Sequence, residues 1–230
     1  MRRTMMHLFR PFRPLLPGTT PGDRLIACAA AAMGIAGMAI VCAMLPPGTG
    51  PLIVAPMGAS AVLLFAVPAS PLAQPWPVVG GNVLSALVGV AVAKLLGTGA
   101  IAAGVAVGVA ILAMSLTRCL HPPGGAAALS AVIGGPAVIE AGWRFPLVPV
   151  GVNALALLAL GLAFHRLYGR RYPHRAAPAP GPRRFEAEDL DVALAESGEA
   201  FDIARDDLEQ LLAAAEAAAD RRRAGAGRAQ

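Results

Sequence analysis

The chain has 230 residues, 56% of them hydrophobic and 14% charged, with a mean hydropathy of +0.61. That is too apolar for a soluble globular domain of this size. The net charge of +5 comes from arginines at the ends of apolar runs, not from a basic stripe, so nucleic-acid binding is excluded as the reading. The three cysteines, Cys28, Cys42 and Cys119, show no CxxC pairing and build neither a disulfide framework nor a zinc motif.

Residues 1–24 form a basic leader with Arg2, Arg3, Arg10, Arg13 and Arg24, read as cytoplasmic. The next stretch, the apolar run Leu25–Leu45, is longer than a signal-peptide core and long enough to span a membrane. Between Leu25 and His165 the ionised residues are Lys94, Arg118, Glu140 and Arg144. Five further apolar segments lie there: Leu52–Val67, Val78–Leu96, Ala100–Leu116, Gly124–Ile139 and Phe145–Leu167. Arg166, Arg170, Arg171 and Arg175 close the last one, so both termini are placed inside and the number of crossings is even.

Leu52–Val67 and Gly124–Ile139 are short or interrupted by Pro and Gly. The expected fold is therefore all-α and polytopic. It has four full transmembrane helices plus two Pro/Gly-led half-helices entering from outside, with six spans as the alternative. Lys94 favours four crossings and Arg118 favours six. Cys119 would report by thiol labelling which side its loop faces.

The two short segments match. "APMGASA" (55–61) aligns with "PPGGAAA" (122–128), and "NVLSALVG" (82–89) with "NALALLALG" (153–161). Twelve residues beyond each Asn stands Lys94 or His165. This reads as an internal repeat, 25–97 and 100–168. Interrupted segments at matching places in two halves point to a transporter's binding site. A Pro-led helix start presents backbone amides and a positive dipole end, which together suit an anion. The candidate contacts are Gly58, Ala59 and Ser60 in the first half and Gly124, Gly125 and Ala126 in the second. Asn82 and Asn153 supply polar lining, with interhelical hydrogen bonding as their plainer role.

His121 is either a proton or anion partner or a local cap, because ionisable groups at membrane depth carry function by default. Arg118 either complements an anion or snorkels to the headgroups. A metal site would need more ligands than His121 and Cys119. Gly104 and Gly108 form a GxxxG packing surface that suits a homo-oligomer. "GTGAIAAG" (97–104) lacks the preceding strand and the following Lys of a phosphate loop. No nucleophile with a base, paired carboxylates or HExxH is visible, so the chain is read as not an enzyme and no cofactor is expected.

Residues 169–184 read as a Pro-rich linker. Twelve of the fourteen acidic residues lie beyond position 180. They fall in a charged, helical cytoplasmic tail over 185–230, where Leu208, Leu211, Leu212 and Ala215 share one helix face. That narrow face suits a partner helix or self-association.

At "TRCLHPPGGAAAL" (117–129) the sequence resembles the HPP family of small integral membrane proteins, named for a His-Pro-Pro such as that at 121–123. "APMGASAVLLFAVPASPLAQPWPVVGGNVLSALVG" (55–89) looks like that family's first signature. "NALALLALGLAFHRLYGRRYPH" (153–174) is similar to its closing helix, and the resemblance covers roughly residues 20–175. The tail also resembles the segment that family members carry after their membrane part. Some members continue into paired CBS domains, which this chain does not show.

The resemblance implies transport of a small anion, with nitrite first because plastid and cyanobacterial members are associated with it. The expected function is a transporter or channel in a bacterial-type inner membrane, with the lipid bilayer and a small anion as partners. The alternative is a membrane anchor or sensor whose tail binds a protein.

Overall fold

The structure is a computed structural model that describes residues 20–44, 53–176 and 185–226. The leader arginines from Arg2 to Arg13, residues 45–52, linker residues 177–184 and residues 227–230 lie outside the described residues. Every regular element among the described residues is helical.

Helix α1, Pro21–Ala43, opens on a capping box: Asp23 N–H donates to Thr20 Oγ1 and Thr20 N–H to the Asp23 carboxylate. Helix α2 is short, Pro56–Ala66, and leads through a 3-10 turn at Pro71–Ala73 to α3, Pro77–Leu96. Helix α4 is Ala100–Leu116 and α5 is Pro122–Ile133. Helix α5 continues, past Gly135 at φ +82°, into α6, Pro136–Ala141, and this pair turns by 94°. Helix α7 is Pro146–Leu167. The tail folds as α8, Ala187–Ser197, and α9, Arg205–Ala226.

Three helices, α1, α3 and α7, are long and apolar enough to cross a membrane, and the bent α5–α6 pair makes a fourth candidate. Helices α2 and α4 are shorter apolar helices. The protein is thus an all-helical membrane protein with three to four candidate spans, and α4, expected as a full span, is 17 residues long.

The asparagine-bearing helices α3 and α7 start in like ways. Helices α3 and α7 both begin with a Pro-led π-helical stretch, Pro77–Gly81 and Pro146–Gly151, just before the paired asparagines. Each asparagine helix then runs parallel to the short helix of the other half. Along α3 and α5, a Cβ at Gly81 would meet His121, and one at Gly89 would meet Ala128 and Ala131. Along α7 and α2, Asn153 meets Val54, a Cβ at Gly161 would meet Leu64, and His165 meets the Leu64 carbonyl. Leu64 and Ala131 are equivalent in the alignment of the halves. Helix α1 packs on α2 and α7, and α4 packs on α5 and α3, an exchange that maps one half onto the other.

Helix α2 runs from a start packed against α7 and α1 towards the end of α7. For α2, the start lies beside Asn153 and Cys42, and the turn after its end meets Tyr172 and His174 beyond the end of α7. Gly97, at φ +80°, makes the tight turn joining the halves.

Candidate functional site

Three of the sequence-derived residues meet in one buried cluster. Ser60 comes from the middle of α2, Asn82 from α3 and His121 from the position just before α5, and none exposes surface. Ser60 Oγ lies 2.9 Å from His121 Nε2, and His121 Nδ1 lies 2.8 Å from the Leu72 carbonyl. A carbonyl only accepts, so Nδ1 carries the proton and Nε2 accepts from the Ser60 hydroxyl. Asn82 Nδ2 donates to Ser60 Oγ at 3.2 Å and to the Val78 carbonyl at 2.8 Å, which fixes its amide orientation. The chain of hydrogen bonds therefore runs from Asn82 through Ser60 and His121 to the Leu72 carbonyl.

Among the described residues, two buried oxygens beside this chain have no partner, Asn82 Oδ1 and Ser85 Oγ. Ser85 lies one turn beyond Asn82 on α3, and a Cβ at Gly124 would come 2.7 Å from its Oγ. Leaving a hydroxyl and an amide oxygen buried and unpaired is costly, so their shared place beside a helix start marks the spot. Ser85 is not among the sequence candidates. Its signal is there, since it stands three residues from Asn82 and so on the same helix face.

The glycine and alanine candidates divide. Gly124 is buried at the α3–α5 contact and Gly125 is half-buried, but Ala126, Gly58 and Ala59 face outward. The amide of Gly58 donates to the Ala55 carbonyl at 3.1 Å and that of Gly124 to the His121 carbonyl at 2.7 Å. Pro122 and Pro123 bring no N–H at all. The start of α5 therefore offers fewer amides than its glycines alone suggest. His121 holds the N-cap position, yet its ring bonds Ser60 and Leu72 and does not cap the helix.

Asn153 serves elsewhere. Its Oδ1 accepts from Val54 N–H at 2.9 Å and its Nδ2 donates to Cys42 Sγ at 3.0 Å, which fixes the start of α2 against α7 and α1. The halves are alike in scaffold and different in lining, because Val54 stands where His121 stands in the second half. The residues twelve beyond each asparagine also differ. His165 donates from Nε2 to the Leu64 carbonyl at 2.9 Å among Phe65, Phe164 and Tyr172. Lys94 is exposed, approaches the Trp143 ring at 6.0 Å and lines a cavity of about 70 Å³ with Thr98 and Gly142.

The loop that receives His121 is clamped from the other side. Tyr172 donates to the Ala73 carbonyl at 2.7 Å, and burial pushes its phenol above its ordinary pKa. His174 N–H donates to Gln74 Oε1 at 2.9 Å, and Ser70 Oγ donates to Asp202 of the tail at 2.7 Å. Trp76 Nε1 donates to the Thr117 carbonyl at 3.1 Å, which joins this loop to the turn before His121. Arg118 in that turn is exposed at φ +55°, and Cys119 is fully buried. Gly104 and Gly108 face away from the bundle, where a Cβ would meet nothing within 4 Å among the described residues. Among the described residues no group of three or more His, Cys, Asp or Glu side chains could hold a metal ion.

No solved structure matches the chain. It is 40% identical over 130 residues to a transmembrane protein of Dictyostelium discoideum, covering 53% of this chain and 44% of that relative. A second Dictyostelium discoideum transmembrane protein is 41% identical over 123 residues, 50% of this chain and 38% of its own length. The chain thus spans less than half the length of the curated relatives it matches, and those relatives are eukaryotic. The model of the HPP transmembrane region matches residues 17–173, and the chain belongs to that family.

Proposed function

We propose that the protein carries a small anion, nitrite first, across a membrane through the Ser60–Asn82–His121 cluster. The observation that carries this reading is the buried meeting of three polar side chains from both halves, with Asn82 Oδ1 and Ser85 Oγ left unpartnered. Polar groups inside an apolar bundle are expensive and mark a pathway when they are not fully paired. Ser85 has a hydroxyl proton to give, and Asn82 has an oxygen that can only accept. One donor beside one acceptor suits an oxyanion that brings a proton with it, so uptake is coupled to protons. Nitrite itself enters through the family resemblance.

Helix directions support a six-pass threading. Helices α1 to α5 and α7 alternate in direction, which makes the two three-helix halves inverted relative to one another. Such inverted repeats place a substrate site between them. The arginines after α7, and with them the Arg118 turn and the tail, then lie in the cytoplasm. The membrane in question is a bacterial-type inner membrane.

The test is nitrite uptake into proteoliposomes of the folded protein, with and without an inward proton gradient. His121→Ala removes a hydrogen bond in the line of transport and is expected to lower uptake by about tenfold or more. Folded protein giving no flux above empty vesicles sinks the nitrite reading. Flux that ignores the proton gradient sinks the coupling.

A second reading has its own observation. The bonds Ser70–Asp202 and His174–Asp207 fasten the tail to the loop that holds His121. A sensor whose tail meets a partner protein would use that linkage. It predicts that removing residues 183–230 abolishes function while His121→Ala is mild.

A further inference from the structure

The seam between α3 and α5 has a polar spot at each end. One is the Asn82–Ser85 spot beside Gly124. Beyond Gly89, which packs on Ala128 and Ala131, lies the cavity of about 70 Å³. Its walls are apolar, from Val90, Ala131, Val138 and Ile139, and its polar side chains are Lys94 and Thr98. One water needs roughly 15 Å³ of such space, so the cavity takes a ligand of a few non-hydrogen atoms.

Lys94 is the one lysine of the chain. All fourteen acidic residues lie among the described residues, and none of them pairs with it. Its Nζ stands 6.0 Å from the centre of the Trp143 ring, a contact that steadies the side chain and uses none of its N–H donors. The Thr98 hydroxyl likewise has no hydrogen-bond partner among the described residues. Thr98 stands just before α4, whose start has no side-chain cap, so the positive end of that helix dipole falls at the same rim. Ammonium, hydroxyl and dipole all favour negative charge. A cation at the mouth of a low-dielectric cleft also raises the local concentration of its counter-ion.

The position of the cavity gives it a use. Helix α3 runs about 25 Å from Pro77 to Lys94. The tail is bonded to the loop before Pro77, so the cavity lies at the end of the bundle away from the tail. Lys94 is exposed there, and Ser85 is nine residues back on α3, about 14 Å deeper. We propose that Lys94 and Thr98 form a capture site for a small monovalent oxyanion, which is held there before it moves along the α3–α5 seam to Ser85. The tight contact of Gly89 with Ala128 closes the seam between the two sites in this conformation. The choice of ligand rests on the reading of the bundle as an anion carrier.

The experiment uses the full chain in maltoside, reductively methylated with ¹³C-formaldehyde, which labels Lys94 and keeps its charge. Lys94→Gln assigns the signal by its loss. Sodium nitrite is expected to shift the Lys94 methyl signal saturably, and sodium gluconate at equal ionic strength, too large for the cavity, to leave it in place. No shift, an equal shift with gluconate, or a nitrite response abolished by added phosphatidylglycerol would overturn the proposal, the last by making a lipid headgroup the occupant. In proteoliposomes, Lys94→Gln should raise the half-saturating nitrite concentration on the side away from the tail about threefold to fivefold, the worth of one exposed charge. Maximal uptake should stay, and Lys94→Arg should restore most of the loss. An unchanged half-saturation in a protein that takes up nitrite would overturn the capture site and leave carriage standing. A saturable shift in a protein without flux would support the site and sink carriage.

Discussion

At the residue scale, the two halves press closely on each other's glycines. A Cβ at Gly89 would lie 2.4 Å from the Ala128 carbonyl oxygen, which is backbone and cannot step aside. A Cβ at Gly161 would lie 2.5 Å from a Leu64 methyl, the end of a side chain that can turn. Gly89→Ala should therefore cost about 3 kcal/mol and Gly161→Ala about 1 kcal/mol, both within the usual range for overpacking. Thermal unfolding in detergent checks this, and equal losses would count against the parallel packing of α3 on α5. Ser60→Ala strips His121 Nε2 of its donor while leaving Leu72 bonded to Nδ1. The variant should fold with a stability loss of about 1 kcal/mol, yet lose most uptake.

His121, Asn82 and Ser60 are legible in the sequence because polar residues in apolar segments are rare and these stand at repeated places. Ser85 carries a weaker signal, its place three residues from Asn82, because a serine in a helix is ordinary until its hydroxyl is seen to lack a partner. The outward turn of Gly58 and Ala59 is not legible, since alanine-rich helices give no clear apolar face.

At the element scale, the long spans are legible from hydropathy, and their ends agree with the helices to within a few residues. The path of the short helices is not. Pro and Gly announce where α2 and α5 start, but say nothing about where the chain goes afterwards. That is decided by residues 67–76, whose turn is held by Ser70 and Gln74 bonding nearby backbone. Arg118 is the reporter of choice for the outcome, because it is exposed and Cys119 is buried. Arg118→Cys, with Cys28, Cys42 and Cys119 replaced by Ala, should react with an impermeant thiol reagent only from the side that bears the tail. Reaction from the opposite side would favour the hairpin threading.

The tail has its own elementary test. Arg205 bonds Asp191 at 2.6 Å and holds its carboxyl below the ordinary value of 3.8. A lowered carboxyl pKa contributes stability above the unfolded value, and that contribution is lost as the pH falls through the folded one. Hydrogen exchange should show α8 equally protected at neutral pH and at about pH 5, then opening at lower pH. Arg205→Ala should flatten that dependence.

At the scale of the whole molecule, the halves are joined by three residues, Gly97 to Gly99, yet each sets its asparagine helix against the other's short helix. A chain cut at this turn into 1–98 and 99–230 should regain the packed bundle when both pieces are made together. Either piece alone should be degraded. Protease resistance of co-expressed and single fragments measures this, and a stable lone half would contradict the interlock. The tail belongs to the same unit, since Asp202 and Asp207 reach the loop and segment that border the His121 cluster.

The glycine turn at position 97 has a consequence for symmetry. Each half sets its asparagine helix against the other's short helix, so a lone half would need a second copy to supply that contact. Two identical copies would have to present identical linings. One polypeptide that turns at Gly97 is free of that constraint, and it holds His121 in one half and Val54 at the matching place of the other.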